Sequence, residues 1–134
     1  MPAGNRLTLI TSGKKWEAEA AFSQCFRCEV GPLLYVSGQV SIDAGGQVVG
    51  PGDLTVQTRT AFGNIRDLLA AGGSTMEDVI KLTYFVTDMS RWLEVQKVRA
   101  EFFPNHHPAS TTVEVSRLFK KEYLIEIEAV AVAH

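Results

Sequence analysis

Residues 124–132, LIEIEAVAV, constrain the fold more than any other stretch. Side chains on a strand alternate between two faces. One face would carry Ile125, Ile127, Ala129 and Ala131 and suits a core. The other would carry Leu124, Glu126, Glu128, Val130 and Val132, two carboxylates among three apolar groups. A lone sheet would expose those apolar groups. The pattern therefore predicts one face covered within the chain and the other covered by self-association, with the carboxylates near a rim or cleft.

The remaining segments supply the covering layer. Residues 79–87 (VIKLTYFVT) are β-branched and aromatic and predict a strand with much of its surface buried. Strands are also expected at 6–10, 20–30, 33–36 and 110–118, with Gly31-Pro32 as the turn of a hairpin between the second and third. Beyond Asp53, a plausible N-cap, Ala61, Ile65, Leu68, Leu69 and Gly72 recur at helical spacing, and Gly72-Gly73 ends that helix. Ser74 followed by Glu77 has capping-box form and predicts a short helical turn. A second helix is expected over 90–103, with Trp92, Val95, Val98 or Arg99, and Phe102 on one side and Pro104 as its stop. The order β-β-β-α-β-α-β-β predicts a single α+β domain over residues 1–134, one mixed sheet with two helices on one face.

A chain of 134 residues, 46% hydrophobic, can bury one core without disulfides or a structural metal. A net charge of -2 and a pI near 5.9 argue against a broad phosphate-binding surface, so no nucleic-acid partner is expected. No apolar run reaches the roughly 20 residues needed to span a bilayer, so no membrane partner is expected. The start, residues 1–5, lacks a charged leader and an apolar run, and two cysteines suit free thiols, so the cytoplasm is the expected compartment.

Several motifs invite chemistry. Cys25-Phe26-Arg27-Cys28 resembles a redox or metal pair, but in a strand the two thiols point to opposite faces about 10 Å apart, beyond disulfide reach. His106-His107 lacks the helical spacing of a metal site, and no metal is expected. Ser110-Thr111-Thr112 has no nucleophile elbow around it, so its hydroxyls would bind a ligand or position a water. Glu126 and Glu128 share a face where a carboxylate can serve as general acid or base.

Taken in order, Leu34-Tyr35-Val36-Ser37-Gly38-Gln39, Ala61-Phe62-Gly63-Asn64-Ile65, residues 72–79 (GGSTMEDV), Tyr84-Phe85-Val86-Thr87-Asp88, Pro108-Ala109, Thr112-Val113-Glu114-Val115 and Ile125-Glu126-Ile127-Glu128-Ala129 resemble the RidA/YjgF family of enamine/imine deaminases. The likeness runs from about residue 20 onward. It implies a chorismate-mutase-like fold, a homotrimer with clefts between neighbouring subunits, and hydrolysis of a reactive small-molecule imine or enamine without metal or cofactor. By the same resemblance Glu126 is the catalytic carboxylate that positions water, and Ser37 and Gly38 bind substrate. Phe22 falls at a cleft tyrosine, Thr112 at a cysteine that some members carry, and Ser110 at an arginine that grips the substrate carboxylate. Serine cannot reproduce that planar fork. The resemblance then implies a substrate other than a simple 2-imino acid. Arg117 lies too far along the strand to substitute; His106, His107 or an arginine of a neighbouring subunit are the stand-ins. The alternative is a member that binds a small molecule, or regulates, without catalysis.

Overall fold

The computed structural model describes residues 7–29 and 31–134. The expected strand boundaries at Arg6 and Val30, and residues 1–5, lie outside them.

The strands are β1 (Leu7–Ile10), β2 (Cys25–Cys28), β3 (Leu33–Gln39), β4 (Val79–Val86), β5 (Ala109–Glu114) and β6 (Ile125–Val132); the helices are α1 (Leu54–Ala71) and α2 (Trp92–Phe102). The main sheet has the order β3-β6-β4-β5. β6 lies antiparallel between β3 and β4, and β5 runs parallel to β4. The predicted α+β architecture holds, with two corrections. β2 pairs antiparallel with β1 in a separate two-stranded sheet, and β3 pairs with β6, so Gly31-Pro32 joins two sheets instead of closing a hairpin. β5 ends at Glu114, and Arg117 lies beyond it, its guanidinium donating to the carbonyls of Leu118 and Phe119.

Ile125, Ile127, Ala129 and Ala131 of β6 are buried, as their alternation requires. Leu82, Tyr84 and Val86 of β4 share that face and meet Phe62, Ile65 and Leu69 of α1 and Val95 and Val98 of α2. Burying each such large side chain contributes about 1.5–3 kcal/mol, so this layer fixes where both helices sit. Asp53 caps α1 by accepting from the Val56 N–H at 3.0 Å. The helical turn before β4 is capped one residue later than Ser74 and Glu77 suggest. The Thr75 N–H and hydroxyl both donate to Asp78, each at 3.0 Å, while Ser74 donates to the Val132 carbonyl at 2.7 Å. Within the core, fully buried Gln57 donates to the carbonyls of Gly50 and Glu122 and accepts from the Leu124 N–H. That bracket ties α1 to the entry of β6, two residues before Glu126.

The opposite face of the sheet is open. It carries Glu126, Glu128 and Val130, with Tyr35 opposite Val130, and Phe85 opposite both Glu126 and Val113. Tyr35 is 77% exposed and Val113 40%. Val132, expected among the uncovered groups, is buried within the chain.

Candidate functional site

The expected site residues fall into two groups on opposite faces of the sheet. The first surrounds Glu126. Val36 pairs with Ala129 and Gln39 with Ile127, so Ser37 and Gly38 together stand opposite Glu128 in a bulge. The bulge brings the Gly38 backbone against the Glu126 side chain. A Cβ at Gly38 would overlap the carboxyl group, 2.7 Å from Cδ and 2.8 Å from Cγ. Glycine is required here by contact, not by a left-handed backbone. Glu126 is half-buried and forms no hydrogen bond or ion pair with another described residue. Its oxygens are therefore open to water or a ligand.

The second group lines a cavity of about 210 Å³ between α2 and β5. Ser110 and Thr112 pair in register with Leu82 and Tyr84, which places them on the helix-covered face. Phe22 comes over them because Ser23 bridges to Ala109, with its N–H donating to the Pro108 carbonyl and its hydroxyl to that of His107. Trp92, Gln96 and Arg99 close the cavity from α2, and the Tyr84 ring stands edge-on to Trp92 with centroids 5.0 Å apart. Ser110, Thr112 and Phe22 are thus together, Ser37, Gly38 and Glu126 are together, and within one chain the sheet separates the two groups.

Arg99 is the residue that sequence reasoning passed over. The apolar stripe of α2 admitted either Val98 or Arg99; Val95 and Val98 face the core, and Trp92, Gln96 and Arg99 form the neighbouring stripe toward the cavity. Of the histidines offered as stand-ins for the absent arginine, His106 is engaged elsewhere, its Nε2 beside the Val79 carbonyl and its ring against Phe26 and Phe103. His107 places Nδ1 3.4 Å from Arg99 Nη1. Desolvation, followed by the charges of Arg99 and His106, holds its imidazole below the ordinary range, so near neutral pH it accepts from Arg99. Burial pushes the Tyr84 hydroxyl well up, against a smaller opposing effect of the Arg99 charge, so it stays a protonated donor. Among the described residues, no three His, Cys, Asp or Glu side chains cluster as metal ligands, and no helix is long and apolar enough to cross a membrane.

Comparison with known proteins agrees with this architecture. The family model described as Endoribonuclease L-PSP matches residues 12–133. A RutC family protein of Pyrococcus horikoshii is 41% identical over 110 residues, 82% of this chain and 85% of that protein. A Yersinia pestis structure, described as a protein of unknown function of the conserved Rid family, aligns with a TM-score of 0.85 and 29% identity over 95% of this chain and 98% of its own. Escherichia coli TdcF, solved with bound serine, aligns at 0.71 and 31% identity over 78% of this chain and 84% of its own. With its mixed sheet, its two helices on one face and a family match over almost its whole length, the chain belongs to the RidA/YjgF family.

Proposed function

We propose that the chain is a hydrolase of the deaminase type, acting on small imines or enamines in clefts between the subunits of a homotrimer. The observation that carries this reading is the Glu126 carboxylate, unpaired among the described residues and pressed against the Gly38 bulge. A carboxylate so placed can take a proton from water as the water oxygen bonds to the carbon of a C=N group. The π pair moves to nitrogen, which receives the proton. The new hydroxyl then gives up its proton to the carboxylate, which passes it to nitrogen; the oxygen pair forms the carbonyl as the C–N bond breaks and ammonia leaves. An enamine enters the same course after tautomerising to the imine, and water is the only co-reactant this balance needs.

The trimer supplies the geometry that one chain lacks. β3 and β5 are the two edges of the sheet, Gly38 near one and Ser110 and Thr112 on the other. Copies joined head to tail close a ring, and such a ring sets Glu126 of one copy beside the cavity of the next. Exposed Tyr35 and Val113 on the open face favour burial between copies. The serine bound to the TdcF relative favours a small, amino-acid-sized ligand over nucleic acid.

The test is ammonia release from imines generated in situ. Glu126→Gln is expected to lower kcat by about 10²–10⁴ with ligand binding retained; turnover that survives the substitution would remove Glu126 from the chemistry, and wild type that releases no ammonia would sink the deaminase reading. One observation favours a second reading, a binding protein without chemistry: within a chain the sheet lies between Glu126 and the cavity. Ligand-induced thermal stabilisation of a purified trimer that releases no ammonia would support it.

A further inference from the structure

The expectation of a substrate other than a simple 2-imino acid rests on Ser110 alone. The cavity beside Ser110 holds one cation, Arg99, and no carboxylate among its lining residues. Arg99 makes no ion pair among the described residues; its side chain meets the His107 imidazole. Tyr84 lines the same cavity and is fully buried, and its hydroxyl bonds to no described residue. A buried donor without a partner is rare in folded proteins and calls for an explanation. Here it stands beside a planar cationic fork of the kind that receives carboxylates. The hydroxyls of Ser110 and Thr112 add neutral donors on the β5 wall. Arg99 reaches the cavity from α2, across from the strand position that Ser110 occupies.

We infer that Arg99 and the Tyr84 hydroxyl form the anion grip of this cavity, which receives the carboxylate of a small organic acid. The volume, below the roughly 300–1,000 Å³ of drug-sized sites, limits that acid to a few carbons. As the source of substrate specificity the inference rests on the deaminase reading; as a binding site it stands without it. It moves the charge that holds the ligand from the strand to the helix, and it assigns Gln96, Ser110 and Thr112 to orientation through hydrogen bonds.

The experiment compares binding of 2-oxobutyrate and its neutral amide by calorimetry, with no turnover required. Wild type is expected to bind the acid at least about tenfold more tightly than the amide, the loss that one charge-assisted hydrogen bond implies. Arg99→Met is expected to abolish that preference by weakening the acid far more than the amide. Arg99→Lys, which keeps the charge and loses the fork, should fall between them, and Tyr84→Phe should weaken the acid severalfold. Wild type that binds the acid no more tightly than the amide, undetectable binding of both included, overturns the inference. So does an Arg99→Met variant, folded by circular dichroism, that keeps the full preference. The two readings fail separately. Wild type that releases no ammonia removes the deaminase and leaves the grip. Loss of the acid preference removes the grip and leaves a deaminase of neutral imines.

Discussion

Gly38 and Glu126 are in direct contact across a bulge, the glycine backbone occupying the space from which a side chain would displace the carboxylate. Gly38→Ala therefore acts on the position of Glu126, since a Cβ 2.7 Å from its Cδ forces the carboxyl group to swing. Misplacing a reacting group by about 1 Å costs on the order of a hundredfold in rate. Ammonia-release kinetics should show that loss in kcat, with the circular dichroism spectrum of the native fold retained.

Tyr84 and Phe62 meet edge to face with centroids 6.1 Å apart, so the ring belongs to the core while the hydroxyl does not satisfy itself there. Tyr84→Phe keeps the ring and removes an unpartnered buried donor, whose desolvation costs about 1–3 kcal/mol. Chemical denaturation should show stability unchanged or raised by about 1 kcal/mol. Weaker acid binding in a more stable protein would separate a ligand-directed hydroxyl from a structural one.

Gln57 joins Gly50, Glu122 and Leu124 through three hydrogen bonds in a fully buried position. Gln57→Leu preserves volume but strands an N–H and two carbonyls, each orphan costing about 1–3 kcal/mol. Urea unfolding should show a loss of at least about 2 kcal/mol, much larger than the effect of breaking the exposed Arg59–Glu101 ion pair between α1 and α2.

Much of this was legible in the sequence. The alternation of 124–132 announced β6 and its two faces, and Asp53 with Ala61, Ile65 and Leu69 announced α1, because both signals are local and periodic. The partner of β2 was not legible. Pairing is set by packing far along the chain, and Gly31-Pro32 serves a sheet-to-sheet connection as well as a hairpin. Glu126 and Ser110 were found through the family resemblance; alternation along β6 gave the face of Glu126, but that Ser110 lies on the opposite face depends on the register of β5 with β4. Arg99 was missed because Val98 and Arg99 are adjacent on α2, and only the roll of the helix decides which meets the core. The stripe Trp92, Gln96, Arg99, at intervals of four and three residues, was the signal present.

His107 gives the account a pH signature. Its folded-state pKa lies below the ordinary 6.5, so the unfolded chain binds the proton more readily. No penalty applies above that ordinary value. Stability falls as pH drops through it toward the depressed folded value, because the unfolded state takes up protons first. Unfolding free energies at pH 7.5 and 5.5 should therefore differ less in His107→Asn than in wild type. An equal difference in both proteins would show that neither burial nor the charges of Arg99 and His106 depress the protonation of this ring in the folded state.

The most direct test of the site shared between copies is complementation between two variants impaired in different halves of the cleft, assayed with a subsaturating 2-imino acid. Glu126→Gln and Arg99→Met are refolded together, so that mixed trimers form. Each mixed trimer then holds one cleft with Glu126 from one chain and Arg99 from its neighbour. An equal mixture should recover about one quarter of wild-type ammonia release, given random assembly into closed threefold rings. Mixed trimers that form, by mass spectrometry, and show no activity above either parent would contradict a cleft built from two chains.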